Sequence, residues 1–453
     1  MNSAMNSPEK LERGLGLKEA TALNMIDMVG IGPFIVIPFV IQAMPGPQCL
    51  LAWMAGALLS FFDACVWAEL GAAMPEAGGS YVYLREAYGP GRWGRFMSFL
   101  LIWQTMIQAP LVMASAAIGF AQYLTYLHPL NRIQQKAAAG TVVVLVVFLL
   151  YRRIAAVGKI SMAIWVGVVG TMAWLIWGGA THFNVHRAFT FPAGAWNFSW
   201  IFFAGLGHAT VQTIYTYLGY YNVATLGGEV REPQKNIPRA IFISIFGIAV
   251  LYLAMQTSIL GVVPWQEAQH SSFIVSTFVE RTYGANWAAL ATGLILFIAF
   301  GSLFSATLGY SRVPYAAAVD GNFFSVFARV HPVKRFPHIS LLALGAAAFV
   351  FSLFFRLSFV ISAILAMRCL IQFIGQSVGL GLLRRRWPRE RFPFRMWFYP
   401  VPVVIAILGW AAIFVSTGGR LMIAALAFVA LGSLIYLARA RALKQWPFEE
   451  ASA

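Results

Sequence analysis

Residues 22–42 read ALNMIDMVGIGPFIVIPFVIQ, an almost wholly apolar run whose single charged residue is Asp27. A helix that crosses the hydrocarbon core of a bilayer takes about 20 such residues, so the run predicts a transmembrane span. Gly30-Ile31-Gly32-Pro33 interrupts its middle. Glycine and proline lower helix stability by about 1 and 3 kcal/mol relative to alanine, which predicts an unwound segment. The alternative is a plain kink, because both residues are common in membrane helices.

The composition of the whole chain agrees with a membrane protein. Of 453 residues, 60% are hydrophobic and 11% are charged, and the mean hydropathy is +0.72. Such a balance excludes a water-soluble globular protein. About twelve spans of about 20 residues would use on the order of 240 positions and leave room for short loops.

Apolar windows between charged or Gly/Pro breaks predict twelve spans in one all-α membrane domain. A tail at 1–21 precedes a first unit at 22–180, with spans near 22–42, 49–73, 93–126, 137–151 and 157–180. A second unit at 198–383 has spans near 198–227, 238–263, 287–319, 339–356 and 358–383. Two further spans within 399–438 and a tail at 439–453 complete the chain.

Charge predicts the orientation of these spans. The chain has 32 Lys and Arg against 16 Asp and Glu, a net charge of +16. About three quarters of the basic residues fall on the face that holds both termini, which predicts cytoplasmic termini in the inner or plasma membrane. The excess therefore indicates topology, and we expect no nucleic-acid partner. The first twenty residues are charged and lack an apolar core, so we expect no cleavable signal peptide.

The cysteines predict neither a disulfide framework nor a metal centre. Cys49, Cys65 and Cys369 lie in or beside apolar stretches, without CxxC spacing. We expect them to be buried small hydrophobes, and we expect no metal and no cofactor.

The first span of the second unit contains a similar interruption at Leu218-Gly219-Tyr220. Broken helices at corresponding positions of two halves are the usual sequence indication of a secondary transporter's binding site. The paired breaks therefore predict discontinuous first and sixth helices around one site.

Three motifs resemble one family of transporters. They are WAELGAAMPEAGGSYVYLREAYGP at 67–90, GYYNVATLGGEVREPQKNIPRA at 219–240 and SRVPYAAAVDG at 311–321. Their order over residues 20–440 closely resembles the amino acid-polyamine-organocation permeases. The resemblance implies a LeuT-like inverted repeat of five plus five helices, with two additional helices and alternating access at a midplane site. It also implies a secondary active transporter, coupled to protons or working by exchange, rather than an enzyme.

One departure from the family concerns the substrate. The family commonly has Gly-Ser/Thr-Gly and an aliphatic residue where this chain has Gly30-Ile31-Gly32-Pro33. Proline has no N–H to offer a carboxylate. Gly-Pro and the Tyr-Tyr-Asn of the sixth helix also resemble the polyamine-uptake branch. An amino acid is the first prediction because few acids are available for a polyamine, which stays the alternative.

An amino acid needs partners for a carboxylate and an ammonium once it leaves water. By helix-dipole logic and by resemblance, the backbone at Gly30, Ile31 and Gly32 would bind the carboxylate. Carbonyls near Met28, Tyr217 and Leu218 would bind the ammonium. Further candidates for the pocket wall are polar or aromatic, namely Gln104, Gln108, His208 and Tyr221. Ordinary packing, with a satisfied core histidine, is the alternative for this last group.

Four charged residues are candidates for coupling or gating. By resemblance, Lys159 would tether helices one and eight in place of sodium and exchange a proton, or it is an ordinary snorkelling lysine. Asp27 would contact a cationic substrate or carry a proton; the alternatives are that it caps the broken helix or pairs with an Arg or Lys of a neighbouring helix. Glu229 and Arg312 would exchange ion pairs as an inner gate opens, or they belong to a solvated loop.

Other functions and residues stay open at this stage. Arg368 and Asp63 lie within spans, and both a gate and a structural ion pair fit Arg368. Neither HExxH nor other clustered catalytic motifs occur, and there is no GxxxxGK[ST] for ATP. A transport-like sensor would share the same site. The sequence identifies no partner subunit.

Overall fold

The structure is a computed structural model that describes residues 11–354 and 357–448. This part of the chain is helical, and its only extended pairings are isolated bridges between Leu15 and Val230 and between Ala77 and Leu226. The predicted tails at 1–21 and 439–453 lie partly outside the described residues.

The helices follow one another with short connections. The first eight are α1 Leu17–Met28, α2 Gly32–Ala43, α3 Cys49–Ala73, α4 Ser80–Tyr88, α5 Trp93–Leu127, α6 Arg132–Leu150, α7 Ile154–Thr181 and α8 Val185–Ala188. The next seven are α9 Trp200–Tyr217, α10 Asn222–Thr225, α11 Pro233–Val262, α12 Trp265–Ala268, α13 Ile274–Tyr283, α14 Ala285–Tyr310 and α15 Arg312–Val319. The last five are α16 His338–Phe354, α17 Leu357–Arg368, α18 Gln376–Arg386, α19 Val401–Ser416 and α20 Gly419–Ala442.

Short helical turns complete the backbone. Single 3₁₀ turns occur at Gly46–Gln48, Gly227–Glu229, Ser325–Ala328 and Arg389–Arg391. A π-helical segment, Cys369–Gly375, joins α17 to α18 without a break in the helical path.

Length and composition show a multi-pass membrane protein. Within the described residues, eight helices are long and apolar enough to cross a bilayer, and α1 with α2 gives a ninth if this bent pair is one span. The sequence predicts twelve. The difference arises because the described part of α16 has 17 residues, α19 has 16, and α9 stops at Tyr217 before the predicted span ends.

The burial of the helices separates an inner from an outer layer. The long helix α5 and the α14–α15 segment are mostly buried, whereas α20 is mostly exposed. Exposed faces carry large apolar side chains such as Phe246, Ile423 and Leu434, as expected for a surface in contact with lipid tails. The core helix α1 packs on α7, α11 and α14, and α3 packs along α9 and α11.

Candidate functional site

The first break in the chain lies between α1 and α2. The helix α1 ends at Met28, and α2 begins at Gly32 with Pro33 in its first turn, where the missing N–H costs no helical bond. The two helices bend by 44°. A Cβ atom at Gly30 would lie 2.6 Å from the Ser302 hydroxyl oxygen on α14, so glycine permits the close approach.

The break exposes backbone donors. The first turn of a helix has N–H groups without an intrahelical acceptor. Here the N–H groups of Ile31 and Gly32 have no hydrogen-bond acceptor among the described residues. The two free N–H groups therefore lie at the positive end of the α2 dipole, a chemistry suited to an anion.

The second break lies between α9 and α10 and touches the first. The helix α9 ends at Tyr217, and α10 begins at Asn222. Gly219 between them has a φ of +121°, a conformation that favours glycine, and its Cβ would lie 2.9 Å from the backbone nitrogen of Met28.

Side chains from neighbouring helices bind the backbone at both breaks. The Tyr252 hydroxyl on α11 lies 2.6 Å from the carbonyl oxygen of Met28 and 3.1 Å from that of Thr216, so one proton serves both. The Asn24 amide donates to the Tyr220 carbonyl at 2.6 Å and accepts the Val223 N–H at 2.8 Å. Buried backbone groups left by the breaks thus gain partners.

A cavity of about 60 Å³ lies where the two breaks meet. Seven of its lining residues are sequence-predicted site residues, namely Asp27, Met28, Gly30, Ile31, Gly32, Leu218 and Tyr221. The remaining wall comes from α5, α9, α14 and the α17 end, and includes Ser115, Tyr215, Thr216, Ser302, Tyr310 and Arg368.

Four predicted pocket residues lie elsewhere. Gln104 is buried with neither amide atom hydrogen-bonded among the described residues, and it does not line the cavity. Gln108 is one layer behind the wall, where its amide donates to the Tyr310 hydroxyl at 3.1 Å. Tyr217 is fully buried and packs edge-on against Trp53 and Tyr252.

His208 differs most from its expected position. Its side chain is exposed, whereas the next residue, Ala209, is fully buried. The buried face of α9 packs on α3, and His208 lies on the opposite face of the helix.

Lys159 is not the buried tether that resemblance implies. It is exposed near the beginning of α7, and no hydrogen bond or ion pair joins it to the described residues. Its neighbour Ser161 is buried and donates to the Gly158 carbonyl at 2.7 Å. The lysine lies on the exposed side of that turn.

Asp63 and Arg368, the two charged residues whose roles the sequence leaves open, lie at different positions relative to the cavity. Asp63 is fully buried on α3 and accepts hydrogen bonds from the Tyr220 hydroxyl at 2.5 Å and the Trp410 indole at 3.0 Å. It therefore supports the wall of the second break without lining the cavity. Arg368 lines the cavity itself. The charge of Arg368 is evident from the sequence, but its position on the cavity wall is not, because it depends on packing against Tyr221.

Ion pairs cluster at one end of the helix bundle, here called the ion-pair end and defined by Glu69, Glu229, Arg312 and Arg384. Arg312 binds Glu229 through two bonds of 2.8 and 2.6 Å, with side-chain exposures of 2% and 0%. Arg384 binds Glu69 through two bonds of 2.6 Å, and Glu69 also accepts the Met396 N–H. The predicted gate residues Glu229 and Arg312 are therefore paired and buried.

A partly exposed group extends this end. Arg85 on α4 binds Glu86 at 2.9 Å and pairs with Asp320. Burial by itself lowers the pKa of Arg85, but the hydrogen bonds and charges of Asp320 and Glu86 outweigh it, so the pKa is raised above its usual value. Arg85 stays charged at any physiological pH.

The described residues contain no group of three or more His, Cys, Asp or Glu side chains that could hold a metal ion. Cys49, Cys65 and Cys369 are free and buried. The cavity wall consists of backbone groups, hydroxyl-bearing and apolar side chains, and the two opposite charges of Asp27 and Arg368.

Comparison with known proteins agrees with this architecture. The family model for amino acid permease matches residues 15–437. The chain belongs to the amino acid permease family. This permease is thus a multi-pass protein of a family that transports amino acids, in agreement with the three sequence motifs.

Three relatives illustrate the range of the family. Mouse cationic amino acid transporter 4 is 25% identical over 397 residues, which cover 82% of this chain and 58% of the mouse protein. The serine/threonine exchanger SteT of Bacillus subtilis is 25% identical over 88% of this chain and 90% of its own. The branched-chain amino acid permease BcaP of the same organism is 22% identical over 97% and 95%. This permease therefore spans less than two thirds of the mouse protein.

Proposed function

We propose that this permease is a secondary active transporter that moves an amino acid by alternating access. The observation that carries the proposal is the cavity at the meeting point of two helix breaks, since such breaks supply free backbone donors and acceptors at bilayer depth. Similarity to SteT, a serine/threonine exchanger, and to BcaP, a branched-chain amino acid permease, supports amino acids as the substrate class.

The proposed fold is a LeuT-like inverted repeat. In it the pairs α1–α2 and α9–α10 are the discontinuous first helices of the two five-helix units. Counting α9–α10, α16 and α19 as spans, beside the eight long helices and the α1–α2 pair, gives twelve spans. Both termini then lie on the cytoplasmic side of the cell membrane, because the basic loops belong on that side.

The proposed substrate contacts follow from the free backbone groups. The N–H groups of Ile31 and Gly32 receive the carboxylate. Leu218, whose backbone follows the end of α9, presents its carbonyl to the ammonium. The Met28 carbonyl already accepts from Tyr252 and from the Gly30 N–H, so its part is to fix the break. His208, Lys159 and Gln104 have no part in this site.

The ion-pair end acts as the proposed inner gate. The Glu229–Arg312 and Glu69–Arg384 pairs join the loop after α10, the α15 start, α3 and α18 in the described conformation. Opening toward the cytoplasm requires these contacts to separate. Asp27 carries the one carboxyl group among the described residues that line the cavity, which makes it the proposed site of proton coupling. Exchange without a proton is the other outcome of the flux test.

The test is uptake of radiolabelled amino acids into proteoliposomes, with and without unlabelled amino acid inside. Wild type should accumulate label, and Gly30→Ala should lower the initial rate at least tenfold because its Cβ would collide with Ser302. Gly170→Ala is the matched control, since nothing lies within 4 Å of a Cβ at that position. Wild-type vesicles that take up no amino acid under any gradient would refute the proposed function.

A further inference from the structure

Two opposite charges face the same small cavity without being paired. Asp27 comes from the end of α1, and Arg368 from the end of α17. No hydrogen bond or ion pair within 4.0 Å joins the two in the described part of the chain. Buried or half-buried charges normally have a partner, because desolvation is costly.

The guanidinium of Arg368 is held in place but incompletely bonded. Its Nε donates to the Gln372 side chain at 2.8 Å, and its Cζ atom lies 4.9 Å from the ring centres of both Tyr221 and Phe373. The residue is 1% exposed, and its Nη2 atom has no hydrogen-bond partner among the described residues. A guanidinium with a free donor and a fixed plane is a preformed carboxylate site.

The carboxylate of Asp27 also lacks a partner of opposite charge among the described residues. It lies one residue before the end of α1, where the helix dipole disfavours a negative charge. Among the described residues it makes no hydrogen bond or ion pair, and it is partly accessible from the cavity. A cationic group inside the cavity would satisfy it.

We propose that Arg368 and Asp27 select a small zwitterion, with the guanidinium on the substrate carboxylate and Asp27 on its ammonium. The inference rests on the proposed function and names its substrate class: small neutral amino acids, with cationic amino acids and polyamines rejected. Arg368 adds a charged donor to the cavity that Ile31 and Gly32 also line, and Pro33 has no N–H to offer.

The charge balance of the wall supports this selection. The formal charges of Asp27 and Arg368 cancel, and the other lining residues carry none. A zwitterion leaves both charges paired and the site neutral. A lysine or polyamine brings an extra positive charge close to a guanidinium that has no carboxylate partner among the described residues, in a site of low dielectric.

The size of the cavity limits the side chain. About 60 Å³ is room for roughly four waters, which favours a small substrate over one with a long side chain. The apolar wall from Val112, Ala116, Ala306 and Ile364 suits a methyl group. The hydroxyls of Ser115 and Tyr215, which bond each other at 2.9 Å, can also receive a small polar group.

The experiment measures ligand affinity by thermal stabilisation of the purified permease with alanine, serine, lysine, glutamate and putrescine. Wild type should bind alanine and serine more than tenfold tighter than lysine, glutamate or putrescine. Arg368→Gln and Asp27→Asn should each weaken alanine binding about 30-fold or more, because each leaves one substrate charge unpaired. Arg439→Gln, which removes an arginine near the Phe99 ring but away from the cavity, should leave alanine affinity unchanged.

Several outcomes would overturn the inference. A wild type that prefers lysine, glutamate or putrescine contradicts it, and so does a folded Arg368→Gln variant that binds alanine within threefold of wild type. If Arg368→Gln does not fold, Asp27→Asn and the wild-type ranking decide instead. Vesicles that transport alanine while these variants keep its affinity refute this inference alone, whereas a wild type that transports no amino acid refutes the proposed function.

Discussion

The buried Arg312–Glu229 pair gives the sharpest test of the ion-pair end. In the variant Arg312→Met the carboxylate of Glu229, which is 0% exposed, loses both of its charged hydrogen bonds. Breaking a buried ion pair by removing one partner costs about 3–5 kcal/mol, because the remaining charge is uncompensated. We therefore expect Arg312→Met to lower the free energy of unfolding of this conformation by that amount.

An exposed pair of the same chemistry provides the control. Arg281 binds Glu267 through bonds of 2.7 and 2.5 Å, but the side chains are 39% and 45% exposed. Exposed ion pairs contribute about 0–1 kcal/mol to stability, so Arg281→Met should lower the free energy of unfolding only slightly. The double variant Glu229→Leu/Arg312→Met removes both buried charges and should regain most of the loss.

The three buried cysteines supply the assay. A thiol-reactive fluorophore labels Cys49, Cys65 and Cys369 only once the permease unfolds, which gives a thermal midpoint in detergent. A kcal/mol shifts the midpoint by about 2–4 °C in chains of about 150–250 residues and by less in longer ones. Arg312→Met should therefore lose several degrees and Arg281→Met about one degree or less. Equal losses in the two variants, or a double variant no better than Arg312→Met, would refute the reasoning.

Three further predictions concern the breaks. Tyr252→Phe should lower the free energy of unfolding by about 1–3 kcal/mol and reduce uptake, because the buried carbonyls of Met28 and Thr216 lose their donor. An unchanged thermal midpoint with unchanged uptake would contradict this prediction. Gly219→Ala should lower the free energy of unfolding by about 1–3 kcal/mol, because a φ of +121° strains alanine and its Cβ would lie too close to Met28. A thermal midpoint within a degree of wild type would contradict the close contact between the two breaks. Asp63→Asn should lower the midpoint while alanine affinity stays unchanged, because Asp63 supports the wall from behind; lost affinity in a folded variant would place it in the site.

Much of the helical plan was predictable from the sequence. The predicted span 49–73 coincides with α3, and 157–180 lies within three residues of the bounds of α7 at each end. These ends are fixed locally, by the change from apolar to polar or Gly/Pro residues. The break predicted at Gly30 is also local, because it depends on the intrinsic cost of glycine and proline in a helix.

The site was predictable only where the backbone itself forms it. Gly30, Ile31, Gly32 and Leu218 line the cavity because each lies at a break that the sequence marks. His208 does not, since the face of α9 that turns inward depends on packing against α3, and each residue along a helix turns by about 100°. Arg368 reaches the cavity through tertiary packing on Tyr221, which no local pattern encodes.

The amide of Asn24 has a mechanical consequence. It donates to the Tyr220 carbonyl, just before α10, and accepts from the Val223 N–H, within α10. One side chain of α1 is therefore hydrogen-bonded to the beginning of α10 at two points. Any swing of α10 relative to α9 therefore carries α1 with it, and the pivots fall at Val29–Ile31 and Leu218–Gly219. Spin labels on α1 and α10 should keep a constant separation through the transport cycle, while the separation between α10 and α9 changes.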